Sequence, residues 1–265
     1  MKQLLDIVDF NYCCNDTVIF KNLNLSIKKG TINSIIGANS VGKTTLIKIL
    51  AGILKTNYSF EFESKMYECN YDKNYISSIN YFIYSNSLRY SKFTVQNSVS
   101  KWKGKSIVDL KYLKNIILEF DLENIINKKI RDLNNIDFFR YVCFTLILKK
   151  PKLLLLDGIF ENYTYSEYCC CINFIKKICK NFGVTIIYTT CHLDKTLLSY
   201  NVSFLNGKTI ELSQTPEEIV THDSVLAREG IIISEMIDLS LKLKFYDLID
   251  SIIMKPDEMV RKIWN

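Results

Sequence analysis

The chain has 265 residues, of which 48% are hydrophobic and 23% charged, the balance of an ordinary folded protein able to bury a core. A formal net charge of +6 allows an anionic ligand or a membrane surface, and no basic run interleaved with aromatics marks a nucleic-acid track. Nine cysteines without CxxC spacing read as reduced, mostly buried thiols rather than a metal site.

The opening MKQLLDIVDF is too short and too acidic for a secretory signal, and no apolar run approaches the ~18 residues of a membrane span. Leu4–Phe10 and Leu23–Ile27 read as strands. Thr31–Ile36 is a short apolar strand that runs into IIGANSVGKTTL. After Lys43, the residues Leu46, Ile49, Leu50, Ile53 and Leu54 share one helical face. Ile76–Tyr84 reads as a strand, and Ile107–Phe120 and Asp137–Leu148 as helices. Lys152–Asp157 is a continuous apolar run ending in a carboxylate, the pattern of a parallel strand covered on both faces. Tyr168–Phe182 follows as a helix and Val184–Thr189 as a strand. Strands alternating with helices argue for an α/β core around a mostly parallel sheet. Asn206-Gly207 then makes a turn before a short strand, Lys208–Leu212. Thr215-Pro216-Glu217-Glu218 opens a mainly helical tail: a threonine cap, proline in the first turn, and glutamate closing a capping box.

The segment Gly37-Ala38-Asn39-Ser40-Val41-Gly42-Lys43-Thr44 fits GxxxxGK[ST], with Thr45 beside it. Consecutive backbone N–H groups of such a loop wrap phosphates, the lysine reaches the terminal phosphates, and the threonine hydroxyl faces a magnesium ion. The following helix adds its N-terminal dipole. Asp157, at the end of an apolar strand, matches the acid that completes the metal site, so the implied cofactors are ATP and Mg2+.

Together these residues resemble an ATP-binding cassette (ABC) subunit over nearly the whole chain. The resemblance implies a P-loop cassette over 1–213 with a helical subdomain at about 85–150, and a C-terminal helical extension over 214–265. It makes Tyr12, in Asp9-Phe10-Asn11-Tyr12, the candidate for stacking on adenine; by residues alone it reads equally as a strand-face tyrosine. It places the signature loop at Leu133-Asn134-Asn135-Ile136-Asp137, 24 positions before Asp157, with Arg140 and Pro151 also in register. The tail, GKTIELSQTPEEIVTHDSVLAREGIIISEMIDLSLKLK and MKPDEMVRKIW, is similar to that of energy-coupling-factor (ECF) transporter ATPases. That similarity implies a second ABC subunit as partner, a transmembrane T-type component and a substrate-binding membrane protein. It also implies a cytoplasmic location, peripheral on the inner face of the membrane.

Five features depart from the family pattern. LSGGQ becomes Leu133–Asp137, so Asn135 and Ile136 stand where the family's glycines let a partner's γ-phosphate come close. The general-base glutamate becomes Gly158, a loss of ~10²–10⁴-fold in rate for a positioned base. The expected glutamine falls at Tyr84 and the expected histidine at Cys191, with His192 next to it read as a surface histidine on a helix start. The segment after the magnesium strand becomes Glu161-Asn162-Tyr163-Thr164. These residues predict that nucleotide binding is retained and hydrolysis at the chain's own site is lost. They leave open hydrolysis through Glu161 or His192, a nucleotide-sensing scaffold, or service to an exporter.

Overall fold

The computed structural model describes residues 2–56, 58–68, 73–84, 86–97, 110–253 and 256–264. Two sheets organise the chain. The first is antiparallel, ordered β2-β1-β4-β5 from β1 (Gln3–Cys14), β2 (Thr17–Lys28), β4 (Ser59–Phe62) and β5 (Lys65–Glu68). The second is ordered β10-β9-β3-β8-β7-β6, from β3 (Ile32–Ile36), β6 (Ile79–Ile83), β7 (Leu153–Asp157), β8 (Thr185–Thr190), β9 (Asn201–Asn206) and β10 (Thr209–Gln214). Its five strands from β9 to β6 are parallel, and β10 closes one edge antiparallel.

The continuous apolar strands have a direct cause. Along β7, Leu153 and Leu155 enter the core shared with the antiparallel sheet, while Leu154 and Leu156 enter the core on the other face. Along β8, Ile187 joins the first core and Ile186 and Tyr188 the second. With a side-chain period of two and both faces covered, apolar residues fall at successive positions rather than alternating with solvated polar ones. Helix α1 (Lys43–Leu50) lies between the sheets, burying Leu46, Ile47, Ile49 and Leu50 in the first core.

The second core extends through α4 (Leu110–Glu119) and α5 (Asn135–Ile147) to α6 (Tyr165–Phe182). Short helices α2 (Lys73–Ser78) and α3 (Asn86–Arg89) flank β6. Helices α7 (Pro216–Val220), α8 (Asp223–Arg228), α9 (Glu235–Phe245) and α10 (Pro256–Trp264) form the tail. A third core ties that tail to the sheet, because Ile219, Val220, Leu226, Ile231 and Ile237 pack with Ile36 of β3 and Phe204 of β9.

Several boundaries differ from the sequence expectation. Helix α1 stops at Leu50, leaving Ile53 41% exposed instead of extending the apolar face. The run read as a strand from Ile76 is helical to Ser78, because Tyr75 is buried beneath α1 and donates its hydroxyl to the Leu50 carbonyl at 2.6 Å. Residues 107–109 of the expected helix lie outside the described residues. The cysteines are less uniformly buried than expected: Cys143, Cys171, Cys179 and Cys191 are buried, but Cys13, Cys14 and Cys170 are exposed.

Candidate functional site

The phosphate loop leaves the C-terminal end of β3 and enters α1, a helix whose N-terminus follows Gly42 directly. Gly37 is fixed by close approach: a Cβ there would lie 2.7 Å from the Leu205 carbonyl oxygen and 2.8 Å from Val41. Its N–H donates to the Thr190 carbonyl at 3.3 Å, anchoring the loop to the neighbouring strand β8. Ser40, where a glycine is usual, takes a left-handed φ of 66°.

Asn39, Ser40, Gly42, Lys43, Thr44 and Thr45 line a cavity of about 270 Å³, completed by Asp157, Gly158, Glu161 and Thr189. Gly37, Ala38 and Val41 form the loop behind it. The Lys43 ammonium donates to the carbonyls of Gly37 and Ala38, each at 2.7 Å. Burial lowers the Lys43 pKa, and Cys191, Glu161 and Asp157 oppose that shift by attraction.

Thr44 and Asp157, the residues expected to share a metal ion, meet. The Thr44 hydroxyl donates to Oδ2 of Asp157 at 2.6 Å, and the Thr189 hydroxyl donates to Oδ1 at 2.6 Å. The Gly158 N–H in turn donates to Thr189 Oγ1 at 3.0 Å. A hydroxyl and a carboxylate converging beside a half-buried ammonium are hard oxygen donors suited to Mg2+ with phosphates, so these residues fit Mg2+·ATP. The sequence reading missed Thr189, and the only signal for it was its place at the end of a strand next to β7.

Glu161 is the unexpected wall of the cavity. Its Oε1 accepts from the Cys191 N–H at 3.2 Å, and its Oε2 lies 3.0 Å from Cys191 Sγ and 3.5 Å from His192 Nε2. His192 is therefore not a free surface histidine. It sits half-buried with its ring toward Glu161, and burial lowers its pKa. Adjacent side chains commonly diverge, but here both reach one carboxylate because the backbone bends between β8 and the 3₁₀ turn Asp194–Thr196.

Gly158 has a φ of +66°, and the nearest atom to a Cβ there would be Tyr84 Cβ at 3.8 Å. Space exists for a side chain; the backbone conformation disfavours one. Tyr84 packs on the second core and donates its N–H to the Asp157 carbonyl at 3.0 Å.

The segment Leu133–Asp137 is not an open loop. Leu133 is buried and its carbonyl accepts from Arg89 at 2.7 Å. Asn134 caps α5, accepting from the Asp137 N–H at 2.7 Å. Asn135 does not project freely as expected: its amide donates to Glu167 at 3.1 Å and its carbonyl accepts from Tyr163 at 2.7 Å. Ile136 leans on the second core. Tyr12 lines a different cleft, with Asp9, Asn11, Cys13, Lys55, Thr56 and Tyr58. Its ring centroid is 6.3 Å from that of Phe10 and 6.4 Å from that of Phe20, whose edge faces Gly42.

The family model described as ABC transporter matches residues 20–160, more than half of the chain, spanning the phosphate loop, the capped α5 and Asp157. The chain belongs to the ABC transporter family. This ABC chain is 27% identical over 237 residues to an ABC transporter ATP-binding protein of Clostridium perfringens, covering 86% of the chain and 41% of that protein. It is 26% identical over 207 residues to the spermidine/putrescine import ATP-binding protein PotA of Mycoplasma capricolum, covering 76% of the chain and 58% of that protein. The chain thus spans about two fifths to three fifths of the length of these relatives. Its fold is that of cbiO1 from Clostridium perfringens, a part of the ABC transporter complex cbiONQ, with a TM-score of 0.74 and 23% identity over 86% of this chain and 94% of that one.

Proposed function

We propose that this ABC chain is the ATP-binding subunit of an importer of the energy-coupling-factor type, retaining ATP·Mg2+ binding while hydrolysis at its own site is impaired. The observation that carries the reading is the pairing of Thr44 with Asp157 beside Lys43, over a cavity where Gly158 stands in place of a general base. ATP·Mg2+ bound there supplies the polarised terminal phosphate. Lys43 would bind it, Thr44 and Asp157 would orient the metal, and Tyr12 would flank the base from the second cleft. Among the described residues, Glu161 is the remaining carboxylate on the cavity wall, and the Cys191 amide and thiol engage it.

The working unit is a heterodimer with a second ABC subunit. This chain would offer Leu133–Asp137 to the partner's nucleotide, and the partner's own base would carry turnover. Differential affinity of the closed and open pair for ATP would drive a T-type membrane component serving a substrate-binding membrane protein for micronutrient uptake. Among the described residues no helix is long and apolar enough to cross a membrane, so attachment to the inner face would run through that component. The importer reading is supported by the ECF-like tail and by the shared fold with a member of the cbiONQ complex. We assign 1–213 to the cassette, about 85–150 to its helical subdomain and 214–265 to the extension.

The test is ATP binding and turnover by the purified chain, alone and with an intact ABC partner. Binding without turnover alone, and turnover only in the pair, is expected. A second reading draws on Glu161 at the cavity: appreciable turnover by the isolated chain, abolished in both Lys43→Ala and Glu161→Gln, would replace the first.

A further inference from the structure

Beyond the Thr44–Asp157 pair, the described residues bring together one group of softer ligands. One carboxylate oxygen of Glu161, the Cys191 sulfur and an imidazole nitrogen of His192 all lie within 4.8 Å of one another. We propose that Glu161, Cys191 and His192 form a binding site for a divalent transition cation of the zinc class, opening on the phosphate cavity.

The spacing suits that ion. Tetrahedral zinc, with bonds of ~2.0–2.3 Å, holds its ligands roughly 3.3–3.8 Å apart. The Glu161 oxygen already lies 3.0 Å from the sulfur and 3.5 Å from the imidazole nitrogen, so small side-chain rotations complete the arrangement. The donor set of thiolate, imidazole and carboxylate selects zinc over magnesium, which prefers six oxygens and is served by Thr44 and Asp157 nearby.

The ligands are also held in advance. Ile232, from the tail, donates its N–H to the Cys191 carbonyl at 2.8 Å and accepts from the Leu193 N–H at 2.8 Å, clamping the two-residue ligand step. The His192 N–H donates to Thr190 Oγ1 at 3.1 Å. Lys195, itself buried, donates its ammonium to the carbonyls of Phe160 and Glu161 at 2.7 and 3.0 Å. Pinned backbones on both sides lower the ordering cost of binding.

Three protein ligands leave a fourth position, as in zinc sites that exchange ligands. Glu161 shares the cavity wall with Lys43, Thr44 and Gly158, so that position is within reach of water or a nucleotide phosphate. On binding, the Cys191 thiol proton passes to solvent, and the carboxylate and thiolate together neutralise the dication. The site does not depend on the importer reading, and either can fail without the other.

The test uses the full chain, reduced, stripped of metal and free of ATP, titrated with Co2+ and then Zn2+. One Co2+ per chain is expected, with tetrahedral visible bands and a near-ultraviolet sulfur-to-cobalt band of single-thiolate intensity, displaced by one equivalent of Zn2+. Cys191→Ser should abolish the sulfur band, and His192→Ala should weaken binding by roughly tenfold or more. The double variant Cys13→Ser/Cys14→Ser, at an exposed cysteine pair, should bind as the wild type does. A sulfur band that survives Cys191→Ser, or vanishes with Cys13 and Cys14, overturns the proposal. The wild-type spectrum decides even if Cys191→Ser fails to fold, because an octahedral spectrum, or one with no sulfur ligand or with two, also overturns it.

Discussion

The Thr44 hydroxyl donates to Asp157 Oδ2 at 2.6 Å, joining residues 113 positions apart at the floor of one cavity. The pair is possible because β3 and β7 both flank β8, so the loop after one strand and the terminal acid of the other emerge on the same edge. Asp157 is almost fully buried and also receives Thr189, so it is oriented before any ligand arrives.

Asp157→Asn keeps the shape and removes the charge. Charge-assisted bonds contribute ~1.5–3 kcal/mol each, so the magnesium-dependent part of ATP binding should weaken roughly 10- to 100-fold. Fluorescent ATP titrations with and without EDTA measure this; a variant that still responds fully to magnesium would remove Asp157 from the metal site.

Placing a glutamate at Gly158, to test the proposed loss of a general base there, meets a backbone obstacle. With φ at +66°, a Cβ should cost ~1–2 kcal/mol although no atom blocks it. Gly158→Ala reports that strain alone in chemical denaturation. Gly158→Glu should be destabilised by a similar amount, and raises turnover in the proposed heterodimer only if the strand end rotates out of the left-handed region.

Asn134 is exposed, but its side chain satisfies the N-terminus of α5. Asn134→Ala should cost about 1 kcal/mol of stability through the lost cap. Asn134→Ser retains the cap and should lie close to wild type. Equal destabilisation by both substitutions, read from urea midpoints, would contradict the capping role.

The fold should be sensitive to alkali. Burial, with help from Glu161, pushes the Cys191 thiol up to about 11; burial likewise pushes the Cys179 thiol and the Tyr188 phenol up to about 12. Each raised group binds its proton more tightly folded than unfolded. The stability it contributes is therefore whole below its unfolded value, 9.0 for the thiols and 10.0 for the phenol, and is lost as pH climbs through 11–12. Melting temperatures in reducing buffer should hold from pH 7 to 8.5 and fall from pH 9 upward. A flat profile to pH 11 would contradict this.

The elements legible in the sequence were those with one environment throughout. β7 carried its burial in an uninterrupted apolar run, α1 in one apolar face, and the phosphate loop in its glycine pattern, which also marked β3 as the strand leading into it. The hairpin of β4 and β5 was not legible, because its turn uses Glu63 and Ser64 at φ 51° and 62°, residues that give no turn signal of the Asn-Gly kind. The turn at Asn15-Asp16, with φ 45° and 62°, was likewise not read from the sequence, and it carries β1 and β2 beyond the short strands expected.

The order of residues alone determined the nucleotide cradle, since backbone donors, lysine and hydroxyl are contiguous and their spacing is their geometry. The resemblance to the ABC family, read along the same order, set Gly158 where that family carries a glutamate. Only the tertiary structure decided what surrounds Gly158. Glu161 and the Cys191–His192 step lie on different loops, and they meet because β7 and β8 are neighbours and the tail at Ile232 holds the second loop in place. Linear spacing carries no information about such a meeting, which depends on strand order and on contacts made across the sheet.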